Sequence, residues 1–158
     1  MTPRIMGILN VTPDSFSDGG RHASARSAID AGRRMHQEGA AIVDVGGEST
    51  RPGALPVPLE EELKRVMPVV EGLVAAGVPV SIDTMKARVM AEATAAGAVM
   101  INDVTALTHD PEALGIAAAS GADIVLMHMK GRPATMQAAP QYANVVAEVR
   151  AFLDARVS

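Results

Sequence analysis

The sequence has no cysteine and no tryptophan, and among its 158 residues there are only one tyrosine and two phenylalanines. The absence of cysteine excludes disulfide bonds and thiolate zinc sites, and it is compatible with the cytoplasm, which is the expected location. With 2% aromatic residues and a net charge of -4, the chain has few side chains that could stack on bases or neutralise a phosphate backbone. Nucleic acid is therefore not an expected partner.

Long apolar segments are also missing from the sequence. No stretch approaches the roughly 20 apolar residues that span a bilayer, and no apolar segment follows a basic start, so we expect neither membrane insertion nor a targeting segment. There is no Gly-rich Walker or dinucleotide loop, no His-Glu-x-x-His motif and no nucleophile elbow. The hydrophobic fraction of 48% is enough to bury a core, and the length predicts one domain over residues 1–158.

Short apolar runs alternate with helical patterns, and Gly and Pro separate them, which is typical of repeated βα units and a parallel sheet. The runs predict strands over residues 5–9, 41–45, 78–82, 99–101 and 124–127. Helices are predicted over about 24–38 and 86–96, from 59 onward, after Asp110, and around 145–153. The Gly-rich loops over 11–23 and 46–58 are predicted to be mobile without ligand. The sequence therefore predicts an α/β fold with five βα units.

Individual side chains sharpen the helix predictions. The three glutamates at positions 60–62 fall in a first helical turn, where the macrodipole favours negative charge. Asp110 and Pro111 are typical of an N-cap and a first helical position, and Gly39 and Gly97 are typical of helix ends. Apolar positions at helical spacing predict buried faces, with Leu63, Val66, Val70 and Leu73 in the second helix and Val145, Val146, Val149, Phe152 and Leu153 in the last.

Each predicted strand ends in, or is followed by, a polar side chain. These residues are Asn10, Asp44, Asp83, the pair Asn102-Asp103, and His128. Because the C-terminal ends of parallel strands lie on one rim in such folds, the positions are predicted to converge on a single site. The competing interpretation is that they cap helices or shape turns, as Asn and Asp often do. For His128, a structural role is favoured over that of a base, because the sequence reveals no partner for it.

The residue types at this rim indicate a ligand that is anionic at one end and planar at the other. Asn10 offers a hard carbonyl oxygen suited to Mg²⁺ that shares a substrate phosphate, and Thr50 and Arg51 suit a phosphate directly. Asp83 and Asn102 supply carboxylate oxygens, an amide donor and an amide acceptor, which match the edge of a heterocycle with ring nitrogens and an amino group. Other planar ligands would also fit this set.

Several segments resemble the signatures of the dihydropteroate synthases. They are Met6-Gly-Ile-Leu-Asn-Val-Thr-Pro-Asp-Ser-Phe-Ser-Asp-Gly-Gly20, Asp44-Val-Gly-Gly-Glu-Ser-Thr-Arg-Pro-Gly53, Ser81-Ile-Asp-Thr84, Ile101-Asn-Asp103 and Met127-His-Met-Lys-Gly-Arg-Pro-Ala-Thr-Met-Gln137. These segments occur in the order of the family, and the agreement covers essentially the whole chain. The first two segments are long enough to make a chance match unrealistic.

The resemblance implies an eight-stranded (β/α) TIM barrel, of which this chain would supply the first five βα units. It implies a transferase of folate biosynthesis that condenses 6-hydroxymethyl-7,8-dihydropterin pyrophosphate with para-aminobenzoate, giving 7,8-dihydropteroate and pyrophosphate, at a site targeted by sulfonamides. Carried over position by position, it implies that Asn10 binds Mg²⁺, that Phe16, Thr50, Arg51, Pro52, Asp83, Asn102 and Met127 bind substrates, and that Asp18 and Arg51 act in catalysis. A homodimer is implied for the full-length form.

The resemblance also implies segments that this sequence lacks, among them Asp-Pro-Gly-Phe-Gly and Ser-Arg-Lys. Since five parallel strands cannot close an eight-stranded barrel, we expect an incomplete barrel whose first and fifth strands present unpaired apolar edges. Two other functions compete with the synthase. One is a pterin-binding methyltransferase, which would not be expected to carry the two long segments because no pyrophosphate leaves. The other is a truncated, non-catalytic module that binds pterin or associates with itself.

Overall fold

The computed structural model describes residues 3–12, 20–49, 55–133 and 135–157, and the structural statements below refer to those ranges. The elements are, in chain order, β1 (Met6–Asn10), α1 (Gly20–Gln37), β2 (Ile42–Gly46), α2 (Leu59–Ala75), β3 (Val80–Asp83), α3 (Ala87–Ala95), β4 (Met100–Asp103), α4 (Ala113–Ser120), β5 (Asp123–Leu126) and α5 (Val145–Val157). The strands form one 5-stranded sheet in the order β1-β2-β3-β4-β5, and each neighbouring pair is parallel. The predicted α/β fold with a parallel sheet is therefore confirmed.

The hydrophobic core lies between the inner strands and the helices. Val43 and Val45 of β2 and Ile82 of β3 are completely buried, as expected for β-branched runs in a parallel sheet covered by helices. Helix α2 packs onto them with the predicted apolar face. All of its predicted residues are buried, namely Leu63, Val66, Val70 and Leu73, and Val69 joins them.

Helix α1 begins at Gly20 and not near residue 24, so the prediction of its start was wrong by about one turn. No proline lies between these two positions, and the intervening residue types are compatible with a helix, so the pattern extends towards the N-terminus. The predicted ends of α1 and α3 agree better with the structure. Gly39 and Gly97 follow these helices with φ of 112° and 106°, a region of backbone conformation that favours glycine.

Asp110 does not act as the N-cap of α4, which was its predicted role, because Glu112 occupies that position. One carboxylate oxygen of Asp110 accepts a hydrogen bond from the Glu112 amide at 3.0 Å and thereby shapes the turn before α4. The other accepts one from the amide of Ala87 at 2.9 Å, so it satisfies a free N–H at the start of α3. Asp110 therefore ties two consecutive helices together.

Helix α5 departs most from the sequence prediction. None of its residues is buried, and Val145 and Val146 are 52% and 74% exposed. The apolar face exists, but it is covered only in part in the described ranges, where Phe152 is half-buried, so the prediction of a buried face was wrong. Ile8 of β1 is 65% exposed as well, which agrees with the expected open edge. None of the helices in the described ranges is long and apolar enough to cross a membrane.

Candidate functional site

The register of the sheet brings the predicted strand-end residues into one row. Asn10 pairs with Gly46, Gly46 with Asp83, and Asp83 with Asn102, across four adjacent strands. Paired residues in a parallel sheet point to the same face, so Asn10, Asp83 and Asn102 share a face at the C-terminal end of the sheet. Asp44 lies two residues before Gly46 and therefore shares this face one step lower. The predicted convergence on one rim is confirmed for these residues.

Asp44 and Asn102 are joined across β3. The Asn102 amide nitrogen Nδ2 donates a hydrogen bond of 2.9 Å to Asp44 Oδ2, which fixes the orientation of the Asn102 side chain. Asp44 is only 4% exposed, and its other oxygen, Oδ1, has no hydrogen-bond partner among the described residues, like the hydroxyl of Ser81 beside it. Buried polar atoms without partners are costly, so these two atoms are candidates for ligand recognition.

Sequence reasoning placed Asp44 at the rim but did not count it among the ligand-binding residues. A signal was present, because a lone carboxylate in the apolar run Ile42-Val43-Asp44-Val45 is out of place in a buried strand. Nothing comparable marks Ser81, whose burial depends on the neighbouring strands.

The carboxyl group of Asp83 is electrostatically unusual. Burial, and after it the negative charges of Asp44, Glu62, Asp103 and Glu48, together raise its pKa from 3.8 to about 7. Near neutral pH this group can therefore be either a carboxylate acceptor or a protonated donor. Gly46 leaves room beside it, since a Cβ at position 46 would lie 3.3 Å from Asp83 Oδ2.

Asp103 has a structural role, although the sequence places it beside Asn102. Its carboxylate accepts hydrogen bonds from the backbone N–H and the hydroxyl of Thr105, both at 2.7 Å, and from the Leu107 amide at 2.9 Å. Leu107 has φ of 60°, so this turn follows an unusual path that the buried carboxylate stabilises. The turn-shaping interpretation therefore holds for Asp103, and Asn102 alone of this pair faces the candidate site.

His128 and Met127 follow β5 at the same end of the sheet. The His128 ring packs edge-on against Phe152, with centroids 5.0 Å apart, and lies 5.8 Å from the Tyr142 ring. These contacts agree with the structural role that was favoured for His128. Met127 is half-buried at the rim, and its proposed contact with substrate stays a prediction.

Five of the predicted site residues lie outside the described ranges. They are Phe16, Asp18, Thr50, Arg51 and Pro52. Residues 13–19 and 50–54 in the middle of the two Gly-rich loops likewise lie outside them, and the mobility of these loops stays a prediction. Asn10 is described and exposed at the end of β1, but the described residues contain no group of three or more His, Asp or Glu side chains poised to hold a metal ion. Asn10 therefore fits a Mg²⁺ site only as one ligand among others, such as the oxygens of a bound phosphate.

A network of charges that the sequence analysis missed lies beside this row. Glu62 is completely buried, and its oxygens accept hydrogen bonds from Lys86 Nζ and from the Thr84 hydroxyl, the latter at 2.7 Å. Lys86 also donates to Glu48, which follows β2. The macrodipole interpretation of positions 60–62 was therefore incomplete, because Glu62 is held by a specific ion pair whereas Glu60 lies at the surface.

The sequence of this chain is similar to those of known proteins. The family model described as "Pterin binding enzyme" matches residues 6–158. The dihydropteroate synthase of Escherichia coli is 53% identical over 151 residues, which are 95% of this chain and 53% of that protein. The chain therefore spans about half the length of the curated relatives it matches.

Solved structures agree in fold as well as in sequence. The Xanthomonas albilineans dihydropteroate synthase with 4-aminobenzoic acid is 56% identical and superposes with a TM-score of 0.87, covering 98% of this chain and 55% of that one. The Yersinia pestis dihydropteroate synthase in complex with a sulfonamide drug is 48% identical with a TM-score of 0.89, covering 98% and 56%. The fold of this chain thus matches about half of each of these enzymes.

Proposed function

Since the chain belongs to the pterin binding enzyme family, we propose that it carries the pterin-facing and pyrophosphate-facing part of a dihydropteroate synthase. The reaction is the condensation of 6-hydroxymethyl-7,8-dihydropterin pyrophosphate with para-aminobenzoate, which gives 7,8-dihydropteroate and pyrophosphate. The observation that carries the proposal is the arrangement of Asp44, Asp83 and Asn102 on one face at the C-terminal end of the sheet.

This arrangement presents acceptors to a ligand. Because the Asn102 amide nitrogen is engaged by Asp44, the side-chain carbonyl of Asn102 is left to accept a hydrogen bond. Asp44 Oδ1 is a further free acceptor among the described residues, and Asp83 adds two more oxygens when ionised. A pterin offers the complementary edge, since its amino group and ring N–H are donors. Recognition therefore depends on matching several buried acceptors with donors of one flat ring.

The anionic end of the substrate is assigned to residues carried over from the family. Thr50 and Arg51 contact the pyrophosphate, and Asn10 would contribute an amide oxygen to Mg²⁺, which would offset the negative charge of the phosphates. Asp18 and Arg51 act in catalysis, and no nucleophile from the protein is required, because the amine attacks the pterin methylene as the pyrophosphate departs. Phe16, Pro52 and Met127 complete the contacts with the two substrates.

The remainder of the relatives' length has no counterpart in this chain, so the chain alone is expected to bind substrate weakly and to turn over poorly. Sulfonamide binding, a homodimer and a cytoplasmic location belong to the proposed full-length enzyme. A second function is favoured by the exposed apolar face of α5, of which Val146 is 74% exposed. That function is a non-catalytic module that binds pterin or associates with itself.

The proposal is tested by titrating the chain with 6-hydroxymethyl-7,8-dihydropterin in a calorimeter. Asp83→Ala and Asn102→Ala should each weaken binding by about tenfold or more, which corresponds to one lost hydrogen bond to a buried group. Asp123→Asn is the matched control, because this exposed aspartate lies at the opposite end of the sheet. The proposal is wrong if the chain does not bind this pterin, or if Asp83→Ala and Asp123→Asn bind it equally well.

A further inference from the structure

We propose that Lys86 is a positioning residue for the phosphate end of the site, because it holds the segment from which the β2–α2 loop departs. This segment comprises residues 46–49 and directly precedes Thr50 and Arg51. The inference rests on the proposed function in one respect, namely that these two loop residues bind the pyrophosphate.

Lys86 connects the segment after β2 with helix α2. This residue lies just before α3, and its Nζ donates hydrogen bonds to Glu48, in the segment, and to Glu62, in the first turn of α2. The side chains of Lys86 and Glu48 are largely buried, and that of Glu62 is completely so. Burial opposes the charged form of Lys86, but the hydrogen bonds to the two glutamates outweigh it and raise its pKa. Lys86 is thus a cation that bridges two carboxylates.

Glu62 is itself held in place from a second direction. The Thr84 hydroxyl donates to Glu62 at 2.7 Å, and the Lys86 backbone amide donates to the same Thr84 hydroxyl at 3.2 Å. Thr84 follows the last residue of β3, and its own amide donates to the Asn102 carbonyl at 3.1 Å. The ion pairs of Lys86 are therefore anchored to the sheet through Thr84 and do not depend on flexible side chains alone.

The backbone of the segment is fixed as well. Arg65 of α2 donates a hydrogen bond of 3.0 Å from Nη1 to the Gly47 carbonyl. Gly47 packs so closely on this helix that a Cβ there would lie 2.7 Å from Val66 Cγ1. Since Arg65 holds the Gly47 backbone and Lys86 holds the next side chain, the loop leaves the sheet from a defined position. Preorganised groups bind an anion with less loss of entropy than mobile ones.

The first test uses the chain without ligand. In Lys86→Met, which keeps most of the side-chain length but removes the charge, the ¹⁵N order parameter of Glu48 should fall from about 0.85 to below about 0.6. Those of Val43 and Ile82 in the core should not change. Lys64→Met is the matched control, because Lys64 is an exposed lysine of α2 outside this network. Unchanged order parameters in the folded Lys86→Met protein would overturn the proposal.

The second test separates the two ends of the site. Affinity for inorganic pyrophosphate with Mg²⁺ should fall about tenfold in Lys86→Met, because the loop residues that bind it then lose conformational freedom on binding that the preorganised loop has already lost. Affinity for 6-hydroxymethyl-7,8-dihydropterin, which carries no phosphate, should stay within about twofold. Glu48→Gln, which leaves the buried Glu62–Lys86 pair intact, should show the same selective loss, and Lys64→Met should show none.

The outcomes distinguish the two proposals. Equal loss of both ligands in Glu48→Gln, or no loss of pyrophosphate, would contradict the positioning role of Lys86. If the unmodified chain binds neither ligand, the proposed function fails, and the order parameters of the first test still decide whether Lys86 holds the segment.

Discussion

Two regions of the molecule have similar apolar patterns but very different burial. The central region comprises β2, α2, β3, α3 and β4, and the outer region comprises β5 and α5. In the central region, Val43 and Val70 are completely buried. In the outer region, Val125 and Val146 are 37% and 74% exposed. An amphipathic pattern therefore reveals which side chains need a partner surface, and not whether that surface is present.

The two regions also differ in how polar groups are used. In the central region, Asp44, Asn102, Glu62 and Lys86 form buried contacts that link different strands and helices. In the outer region, the ion pair between Arg150 and Asp154 lies at the surface within one helix. The candidate site therefore depends on the region that is already well packed, and its residues can be tested in this chain.

The largest expected difference between the regions concerns their charged residues. Glu62→Ala should lower the free energy of unfolding by about 3 kcal/mol, because it leaves Lys86 without one partner in a buried setting. Asp154→Ala, its counterpart in the outer region, should cause no measurable change, since exposed helix pairs contribute little. Urea denaturation monitored by circular dichroism measures both. Equal effects would show that the central network has no special weight.

A smaller difference is expected for a matched pair of valines. Val70→Ala should cost about 2 kcal/mol of unfolding free energy, because it removes buried apolar volume and leaves a cavity. Val146→Ala makes the same chemical change in α5, where it should cost less than about 0.5 kcal/mol. If Val146→Ala proves as costly as Val70→Ala, α5 is covered in solution by another surface, for example in a self-associated form.

The last expected difference is a dependence on pH. The pKa of Asp83 is raised from 3.8 to about 7, so the folded chain keeps a proton there that the unfolded chain loses. The stability that this proton provides is fully present below pH 3.8 and is lost as the pH rises through about 7. Asp83→Asn should therefore gain in thermal midpoint relative to the unmodified chain as the pH is raised from 5 to 8. Asp123→Asn should show a difference that is flat over this range.

Much of the central region could be predicted from the sequence. The apolar runs located all five strands to within about two residues, and helical spacing identified the buried face of α2, because both signals are local. The row of Asn10, Asp83 and Asn102 followed from the rule that parallel strands end at one rim.

What could not be predicted depends on contacts between distant segments. The sequence placed Glu62 in a first helical turn, and only the contacts with Thr84 and Lys86 from the next βα unit make it a buried partner. Asp103 is adjacent to Asn102, but its side chain caps a turn whose path the sequence does not reveal. The missing cover of α5 was not predicted, since its apolar spacing is the same whether or not a partner is present.

We propose that the central region holds part of a dihydropteroate synthase site whose completion requires further structure. The most direct measurement is an assay of dihydropteroate formation by the purified 158-residue chain, with its mass in solution determined in the same buffer. The account predicts little or no turnover by a monomer, because several hydrogen-bond partners of the substrate would be missing and each is worth about 1–3 kcal/mol. Robust turnover by a monomeric chain would contradict it.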